Sequence, residues 1–464
     1  MKLLNLITAC AVLATGCTLG PDYKKPKTDL PQGQAPADYA TFTQQNWWQM
    51  FGDPVLNDME DTALKYNWDL QAAIARVDQA RAEATIAGAN QLPSVSAGAS
   101  TGREGNASGS GESLSQAGLN VSFELDLWGK YRRMKESARA QLLATEAARD
   151  TVRLTLTADV AKQYFLMLML DEQIKIAEQT LAARQENVRI YQNRYDAGYA
   201  TEVDLRRVQA NMSSVKADLD NLRLQLSKAE TALAVLLGKS PRAMMEEKIT
   251  RGKSLNELTL VPDVPADLPS DLLERRPDVM TAEQNLIAAN ANIGVARASY
   301  FPDISLTAAA GYASNALTSL FTGGSGVWSL GADAVSPIFN GGKIKAENKK
   351  AEAQYREILA NYQKTLQLAF KEALDAINSN QRYRQIYDSY LAQTKDMRRS
   401  YELTKKQENA GLIGVTDLLS VEETLLSSEM SLSTARRNEL DAVVDLAKAL
   451  GGGWTSQDIQ QAQK

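Results

Sequence analysis

Histidine is absent from all 464 residues. That zero removes Ser-His-Asp and Cys-His catalysis and every His-ligated metal site. Cysteine occurs twice, at Cys10 and Cys17, and never in the 447 residues (464 − 17) that follow. A disulfide framework and a cysteine zinc site are therefore excluded from the body of the chain. Prolines number only 13, so long stretches run without a helix breaker and much helix is expected. No basic excess exists: 51 Lys and Arg against 56 Asp and Glu leave a net charge of -5, which argues against nucleic-acid binding. Aromatic residues are sparse at 6%, yet 44% of the chain is hydrophobic, too much for a disordered protein.

What is present begins with an address. Met1-Lys2 is a short basic stretch, Leu3 to Leu13 is largely apolar, and Ala14-Thr15-Gly16-Cys17 follows. This reads as a secretory signal over residues 1–16, too short to span a bilayer as a permanent helix. Small residues before a cysteine resemble the lipobox of bacterial lipoproteins, with Leu13 one position further back than usual. Cys17 is the expected lipid attachment site. Ile7-Thr8-Ala9-Cys10 is the alternative, but it leaves almost no apolar segment ahead of it. Several acyl chains at ~0.8 kcal/mol per buried methylene would hold the N-terminus on a membrane. The Thr18 that follows Cys17 implies export to the outer membrane, by analogy with bacterial lipoproteins.

Beyond the signal the chain reads as one unit written twice. Residues 18–52 look extended, and a helix is expected from Asp53 to Gln91 with an interruption near Asn67-Trp68-Asp69. Val95, Ala97 and Ala99 alternate with small polar residues. Leu119, Val121, Phe123, Leu125 and Leu127 alternate with Asn120, Ser122, Glu124 and Asp126, so two strands are predicted. Gly102 to Ala117 between them reads as a solvated loop. Tyr131 to Tyr195 holds neither proline nor glycine and predicts a helix of roughly 65 residues, about 97 Å long. A return helix runs from Thr201 to Leu237. The same order recurs with a helix from Pro277, strands on Ile304–Tyr312 and Trp328–Ala334, a long helix over 343–409 and a return helix to Leu450. Gly129 and Gly342, Gly198 and Gly411, Asp204 and Asp417, and Gly238 and Gly451 all differ by 213, and Pro93 and Pro302 by 209. A gapless offset over about 110 residues is a strong internal repeat.

The expected organisation follows. An acylated segment and a belt portion cover 17–66. The first repeat spans 67–238, with a hairpin over 93–128, a long helix over 129–196 and a return helix over 201–238. A belt segment covers 239–276. The second repeat spans 277–451, with a hairpin over 302–338, a long helix over 343–409 and a return helix over 414–450. A tail covers 452–464. The fold class is mainly α with a membrane β-barrel. Four strands cannot close a barrel in lipid, where an open edge leaves backbone groups unsatisfied and about eight strands are the minimum. Two copies would give eight strands and three would give twelve, and symmetric closure across subunits is an ordinary oligomer solution. A long helix alone could also be a coiled-coil spacer, but the paired strands and the secretory signal count against that.

Several short runs carry a resemblance: Trp47-Trp48 with Phe51; Leu273-Glu274-Arg275-Arg276-Pro277-Asp278; Ala289-Asn290-Ala291-Asn292-Ile293-Gly294 continuing to Phe301-Pro302; Pro337-Ile338-Phe339-Asn340-Gly341-Gly342; and Ala449-Leu450-Gly451-Gly452-Gly453-Trp454. In this order the chain resembles the outer membrane factor family, the TolC-like exit ducts, and within it the lipoprotein branch that serves resistance-nodulation-division efflux pumps. The resemblance implies a homotrimer with a twelve-stranded barrel in the outer membrane, continuous with an α-helical barrel crossing the periplasm. It implies a periplasmic adaptor protein, an inner-membrane pump that supplies energy and substrate, and outer-membrane lipid as partners. No chemistry is implied at this component, so no enzyme activity, metal or cofactor is expected beyond the covalent lipid on Cys17. The expected function is passive exit of drugs or other toxic small molecules. The alternatives are a heavy-metal efflux duct, a type I protein-secretion duct, or a structural lipoprotein spacer without a pore.

The tips of the long hairpins are Tyr195-Asp196-Ala197-Gly198 and Glu408-Asn409-Ala410-Gly411. Gly198 and Gly411 are expected to supply a positive φ where the helix reverses. In the family Ala197, Gly198, Ala410 and Gly411 would dock the adaptor. Asp204 completes a capping box from Thr201 and favours the helix dipole. In the family, inward carboxylates narrow the pore at this end, which makes Asp417 a candidate gate residue and Asp204 a second. The family's further acidic position is Ser420 here, and its arginine two residues past the tip glycine is Ile413. Met167 and Met169 could serve as soft metal ligands, but apolar neighbours on both sides favour packing.

Overall fold

A computed structural model describes residues 18–27, 46–105, 111–259 and 275–452. Cys17, the signal segment, Leu273, Glu274 and the tail from 453 onward lie outside the described residues. The chain falls into two compact units, one holding residues 1–28, 75–147 and 280–365, the other residues 29–74, 148–279 and 366–464.

The elements in chain order are α1 (Pro54–Tyr66), α2 (Trp68–Ala89), β1 (Ser94–Gly105), β2 (Gly111–Leu125), α3 (Lys130–Asp196), α4 (Glu202–Leu236), α5 (Pro241–Glu246), α6 (Pro277–Ala298), β3 (Asp303–Ser314), β4 (Gly326–Val335), α7 (Lys343–Asn409) and α8 (Val415–Ala449). The duplication is visible in lengths. α2 and α6 have 22 residues each, α3 and α7 have 67, and α4 and α8 have 35. The chain is mainly helical with a duplicated helix–hairpin–long helix–helix unit. No helix among the described residues is long and apolar enough to cross a membrane.

The first unit carries one antiparallel sheet in the order β1-β2-β3-β4. Its register sorts the side chains by face, because alternate residues point to opposite sides. Ala97, Leu119, Ala310 and Trp328 stand in one cross-strand row, and Val95, Val121, Ala308 and Leu330 in the next on the same face. On the other face Ser96, Asn120, Ala309 and Ser329 form a row, followed by Ser94, Ser122, Thr307 and Gly331. At Gly118, paired with Gly311, the strands approach so closely that a Cβ on Gly311 would sit 2.3 Å from the Ala117 carbonyl oxygen. Only glycine permits that approach.

The structure corrects the reading of Gly102 to Ala117 as a loop. Both sides of that segment are strand, with Thr101 opposite Ser115 and Glu104 opposite Glu112. The ladder is a backbone device, and the small polar side chains hide it without opposing it. Thr101 and Ser115 hydroxyls even pair across it at 3.0 Å.

The first unit also holds the described start of the chain. Thr18 packs on Gly129, where an added Cβ would lie 2.6 Å from the threonine methyl, and the Leu19 amide donates to the Trp128 carbonyl at 3.1 Å. Gly20 presses on Gly294, Asn290 donates to the Pro21 carbonyl at 2.8 Å, and the Tyr23 hydroxyl donates to Glu283 at 3.2 Å. The segment thus leaves the strand–helix junction and runs backward along α6, away from the sheet.

The second unit is helical. Its core holds Trp47, Trp48, Phe51, Leu56, Tyr164, Phe165, Met167 and Leu170, all fully buried. Trp47 to Phe51 is a short 3₁₀ helix, so the extended reading of residues 18–52 fails there. Apolar contact decides it: the Phe51 ring lies 4.9 Å from that of Phe165. Asp53 caps α1 through the Val55 amide at 2.8 Å and accepts from the Tyr164 hydroxyl at 2.7 Å and the Lys253 amide at 3.0 Å. Asn67 breaks the first helix from the second and caps α2 by accepting from the Leu70 amide at 3.0 Å. The six-residue α5 lies inside the stretch read as a belt segment over 239–276. Met167 and Met169 pack in the helical core.

α3 and α8 run antiparallel in a constant register. Lys162 pairs with Asp445, the Ser433 hydroxyl donates to the Met169 carbonyl, Gln173 donates to the Met430 carbonyl and Thr434 hydroxyl, and Arg184 pairs with Glu422, so these partner numbers add to between 602 and 607.

Candidate functional site

The hairpin tips bring the sequence-predicted residues together at one end of the second unit. Each long helix ends in the same hydrogen-bonded reversal. At the first, the Tyr199 amide donates to the Arg194 carbonyl at 2.7 Å and the Gly198 amide to the Tyr195 carbonyl at 2.9 Å. At the second, the Leu412 amide donates to the Gln407 carbonyl at 3.0 Å and the Gly411 amide to the Glu408 carbonyl at 2.9 Å. This pair of bonds needs a left-handed residue just past the helix, supplied by Gly198 at φ 79° and Gly411 at φ 71°. Ala197 and Ala410 hold the last helical bonds, to the Asn193 and Lys406 carbonyls. The residue after each glycine usually covers the last turn, but Tyr199 is 87% and Leu412 75% exposed.

The two predicted aspartates have different environments. Asp204 closes a capping box: its amide donates to the Thr201 hydroxyl at 3.2 Å, and its carboxylate accepts from the Thr201 amide at 3.2 Å and hydroxyl at 2.6 Å. Those bonds, with help from Arg207, hold its carboxyl below the usual range. Asp417 occupies the same position of α8, but the cap there is Gly414, which has no side chain to offer. The Asp417 carboxylate is exposed and makes no hydrogen bond or ion pair among the described residues.

Sequence reasoning missed a third carboxylate. Glu408 at the end of α7 is buried and accepts from the Tyr191 hydroxyl at 2.9 Å and from Arg194 at 2.8 Å, both on α3. The Arg194 guanidinium also lies 4.9 Å over the Tyr191 ring. Burial first, then the Glu408 carboxylate, push the Tyr191 hydroxyl up to about 12. Beneath this clasp Tyr191, Leu205, Val208, Val415 and Leu419 form an apolar cluster drawn from both repeats. Arg207 on α4 adds a bond to the Thr416 hydroxyl at 2.5 Å. The one signal available in sequence was that Glu408 falls where the first repeat has Tyr195, a departure from the duplication.

The sequence profile of the outer membrane efflux protein family matches residues 60–239 and 268–452. The chain belongs to the outer membrane efflux protein family. Relatives agree along the whole length. The probable efflux pump outer membrane protein TtgC of Pseudomonas putida is 34% identical, with 100% of this chain and 98% of the relative covered. The cation efflux system protein CusC of Escherichia coli O157:H7 is 34% identical over 97% of this chain and 99% of its own. The probable outer membrane lipoprotein SilC of Salmonella typhimurium is 30% identical over 98% and 99%. Among solved structures, the CmeC outer membrane channel of Campylobacter jejuni superposes with a TM-score of 0.90 at 27% identity, covering 97% of this chain and 98% of that one. As an outer membrane efflux protein the chain is an outer-membrane exit channel, and its functional site is a passage. The sheet is the element suited to lipid, with one apolar and one polar face, and the tips carry the features that distinguish one repeat from the other.

Proposed function

We propose that three copies of this chain close into the exit duct of a tripartite efflux pump. The observation that carries the reading is the sheet: four strands, apolar on one face and polar on the other, with β1 and β4 left as unpaired edges. Unpaired edges are not tolerated in lipid, so the edges must meet those of other copies, and three copies give a twelve-stranded barrel. The strands of 10 to 15 residues meet or exceed the ~9–11 needed to cross a tilted barrel wall. Cargo passes without chemistry, driven by an inner-membrane pump of the resistance-nodulation-division type.

A periplasmic adaptor docks on the tips. Ala197, Gly198, Ala410 and Gly411 set the turn, and the exposed Tyr199 and Leu412 supply apolar contact that the chain itself leaves unused. Asp417 lines the gate, since its carboxylate is exposed and makes no bond among the described residues. Asp204 is spent on its cap and contributes to the gate only through the helix it fixes. Cys17 carries the lipid. Its neighbour Thr18 sits at the strand–helix junction, the level at which an acyl chain must enter the membrane.

The cargo is drugs or other toxic small molecules. Heavy-metal cations are the second reading, favoured by the likeness to the cation efflux system protein CusC. Purified protein in planar bilayers is expected to conduct as a trimer, and a species that never conducts would sink the duct in favour of a spacer. Asp417→Ala is expected to raise single-channel conductance; unchanged conductance and ion selectivity would remove Asp417 from the gate. Cys17→Ser is expected to abolish labelling by palmitate, whereas persistent label would move the anchor to Cys10.

A further inference from the structure

The two places where a strand gives way to a long helix hold equivalent positions in the repeat and are built in opposite ways. At the first, Asp126 accepts from the Tyr131 amide at 3.1 Å and the Arg132 amide at 2.9 Å, capping α3. The Trp128 indole donates to the Pro302 carbonyl at 2.8 Å and its ring lies 4.8 Å from Phe301. The cations there have acids: Lys130 has Asp303 at 3.0 Å, Arg132 has Asp126 at 3.3 Å, and Arg133 has Asp22 and Glu136 at 2.8 Å each.

At the second junction these devices are missing. Ile338 is 98% and Phe339 91% exposed. The first turns of α7 carry Lys343, Lys345, Lys349 and Lys350, all exposed. Lys343 reaches Glu347 only at 3.9 Å, and Lys345, Lys349 and Lys350 make no ion pair or hydrogen bond among the described residues. Bare apolar side chains in water are costly, and so are neighbouring cations without counter-charge. Both costs vanish in one environment, which is apolar beside Phe339 and anionic about 10 Å further along the helix axis. That is the edge of a bilayer, where apolar rings sit at the acyl boundary and lysines extend into headgroups.

We infer that the Pro337–Lys350 junction is an interfacial anchor that binds the phosphates of anionic phospholipid in the periplasm-facing leaflet. The inference rests on the reading that the sheet spans the outer membrane. The chemistry suits a lipid layer better than a protein neighbour. Ile344, Asn348 and Ala351 form the stripe of α7 turned to α6, where Asn348 donates to the Ala296 carbonyl at 2.8 Å. At 100° per residue, Lys345 and Lys349 lie on one flank of that stripe and Lys343 and Lys350 on the other. Either flank therefore presents two lysines to whatever surrounds the helix. Lysine near an anionic surface contributes by charge alone, without a shaped pocket, which fits an exposed helix face.

The test uses full-length acylated protein in phosphatidylcholine bilayers doped with spin-labelled phosphatidylglycerol or spin-labelled phosphatidylcholine. The motionally restricted lipid is expected to favour phosphatidylglycerol by roughly five-fold at low salt, the factor that one lysine at the surface supplies. The preference is expected to shrink at high salt. In the Lys343→Gln, Lys345→Gln, Lys349→Gln, Lys350→Gln variant it falls to near unity, while Phe339→Ser loosens both lipids alike. The same preference in wild type and variant would overturn the inference. So would a variant that fails to form trimers in any bilayer, since the lysines would then serve a contact between copies. Conductance in the same bilayers separates the two ideas: a conducting variant with unchanged lipid preference sinks the anchor alone, and a wild type that never conducts sinks the duct.

Discussion

The two hairpin tips share one backbone and divide their carboxylates differently. Each reverses through a glycine in the same left-handed conformation, at the end of a helix of 67 residues and the start of one of 35. The first tip closes on itself, with Thr201 and Asp204 exchanging bonds. The second reaches outward, with Glu408 gripping Tyr191 and Arg194 of the first and Asp417 left without a partner among the described residues. A duplicated fold can therefore keep its geometry while one copy does the fastening and the other is freed for function. A residue that matches by repeat position, as Asp204 matches Asp417, need not match in role.

Breaking the shared apolar cluster should have the largest effect. Leu205→Ala or Leu419→Ala is expected to cost ~2–5 kcal/mol and to loosen both tips together in amide hydrogen exchange. Loss of protection confined to the mutated hairpin would mean that the cluster does not join them. Next is the clasp. Glu408→Ala leaves the buried Tyr191 phenol without its acceptor and the part-exposed Arg194 guanidinium without its carboxylate, and should cost about 1–3 kcal/mol. It also carries a pH signature. The Tyr191 hydroxyl is raised in the folded state, so its contribution is complete below the ordinary value of 10.0 and lost as pH climbs to about 12. Alkaline loosening of the tips in that window should weaken with Glu408→Ala, because burial still raises the hydroxyl, and should vanish with Tyr191→Phe; a slope that survives Tyr191→Phe would clear Tyr191 of any part.

The caps sharpen the contrast further. Thr201→Ala should cost ~1 kcal/mol of α4 stability, read by exchange at the first tip only. Asp204 is shifted the other way, so its contribution is present above the usual carboxyl range and lost as pH falls through its lowered value. Thr201→Ala should weaken that acid sensitivity, since the hydroxyl bond is the largest cause and only the backbone bond and Arg207 remain. The smallest effect is a gain. Gly414→Ser offers α8 the side-chain cap it lacks and should add about 0.3 kcal/mol. If it adds nothing, the second tip is already satisfied by another route and the asymmetry between tips is weaker than the bonds suggest.

The helices were legible because their breakers are so few. The run without proline or glycine from Tyr131 to Tyr195 lies wholly inside α3, and the offsets of 209 and 213 recur in the element bounds. The capping box could be read directly, since Thr201 and Asp204 are three residues apart. Glu408 could not, because its partner Tyr191 is 217 residues away and nothing local distinguishes a helix-end glutamate that turns inward. The far halves of β1 and β2 were hidden for another reason. Their side chains are mostly Gly, Ser, Thr and Glu, without an apolar alternation, and only the backbone ladder makes them strand. The stretch from Trp47 to Phe51 was mistaken because burial of three aromatics outweighs what local composition suggests.

The constant pairing of α3 with α8 places a rule on how such a protein can change. Lys162, Gln173 and Arg184 meet Asp445, Met430 and Glu422 in one unbroken register. Deleting a single residue from α3 would turn everything beyond it by about 100° and slide it by about 1.5 Å, so every later partner would face the wrong way. α4 is tied to the same tip and would be dragged along. Substitutions can accumulate one at a time, but a change of length has to be made in all four arms at once. Lineages and engineers alike should find these arms easy to repaint and hard to resize.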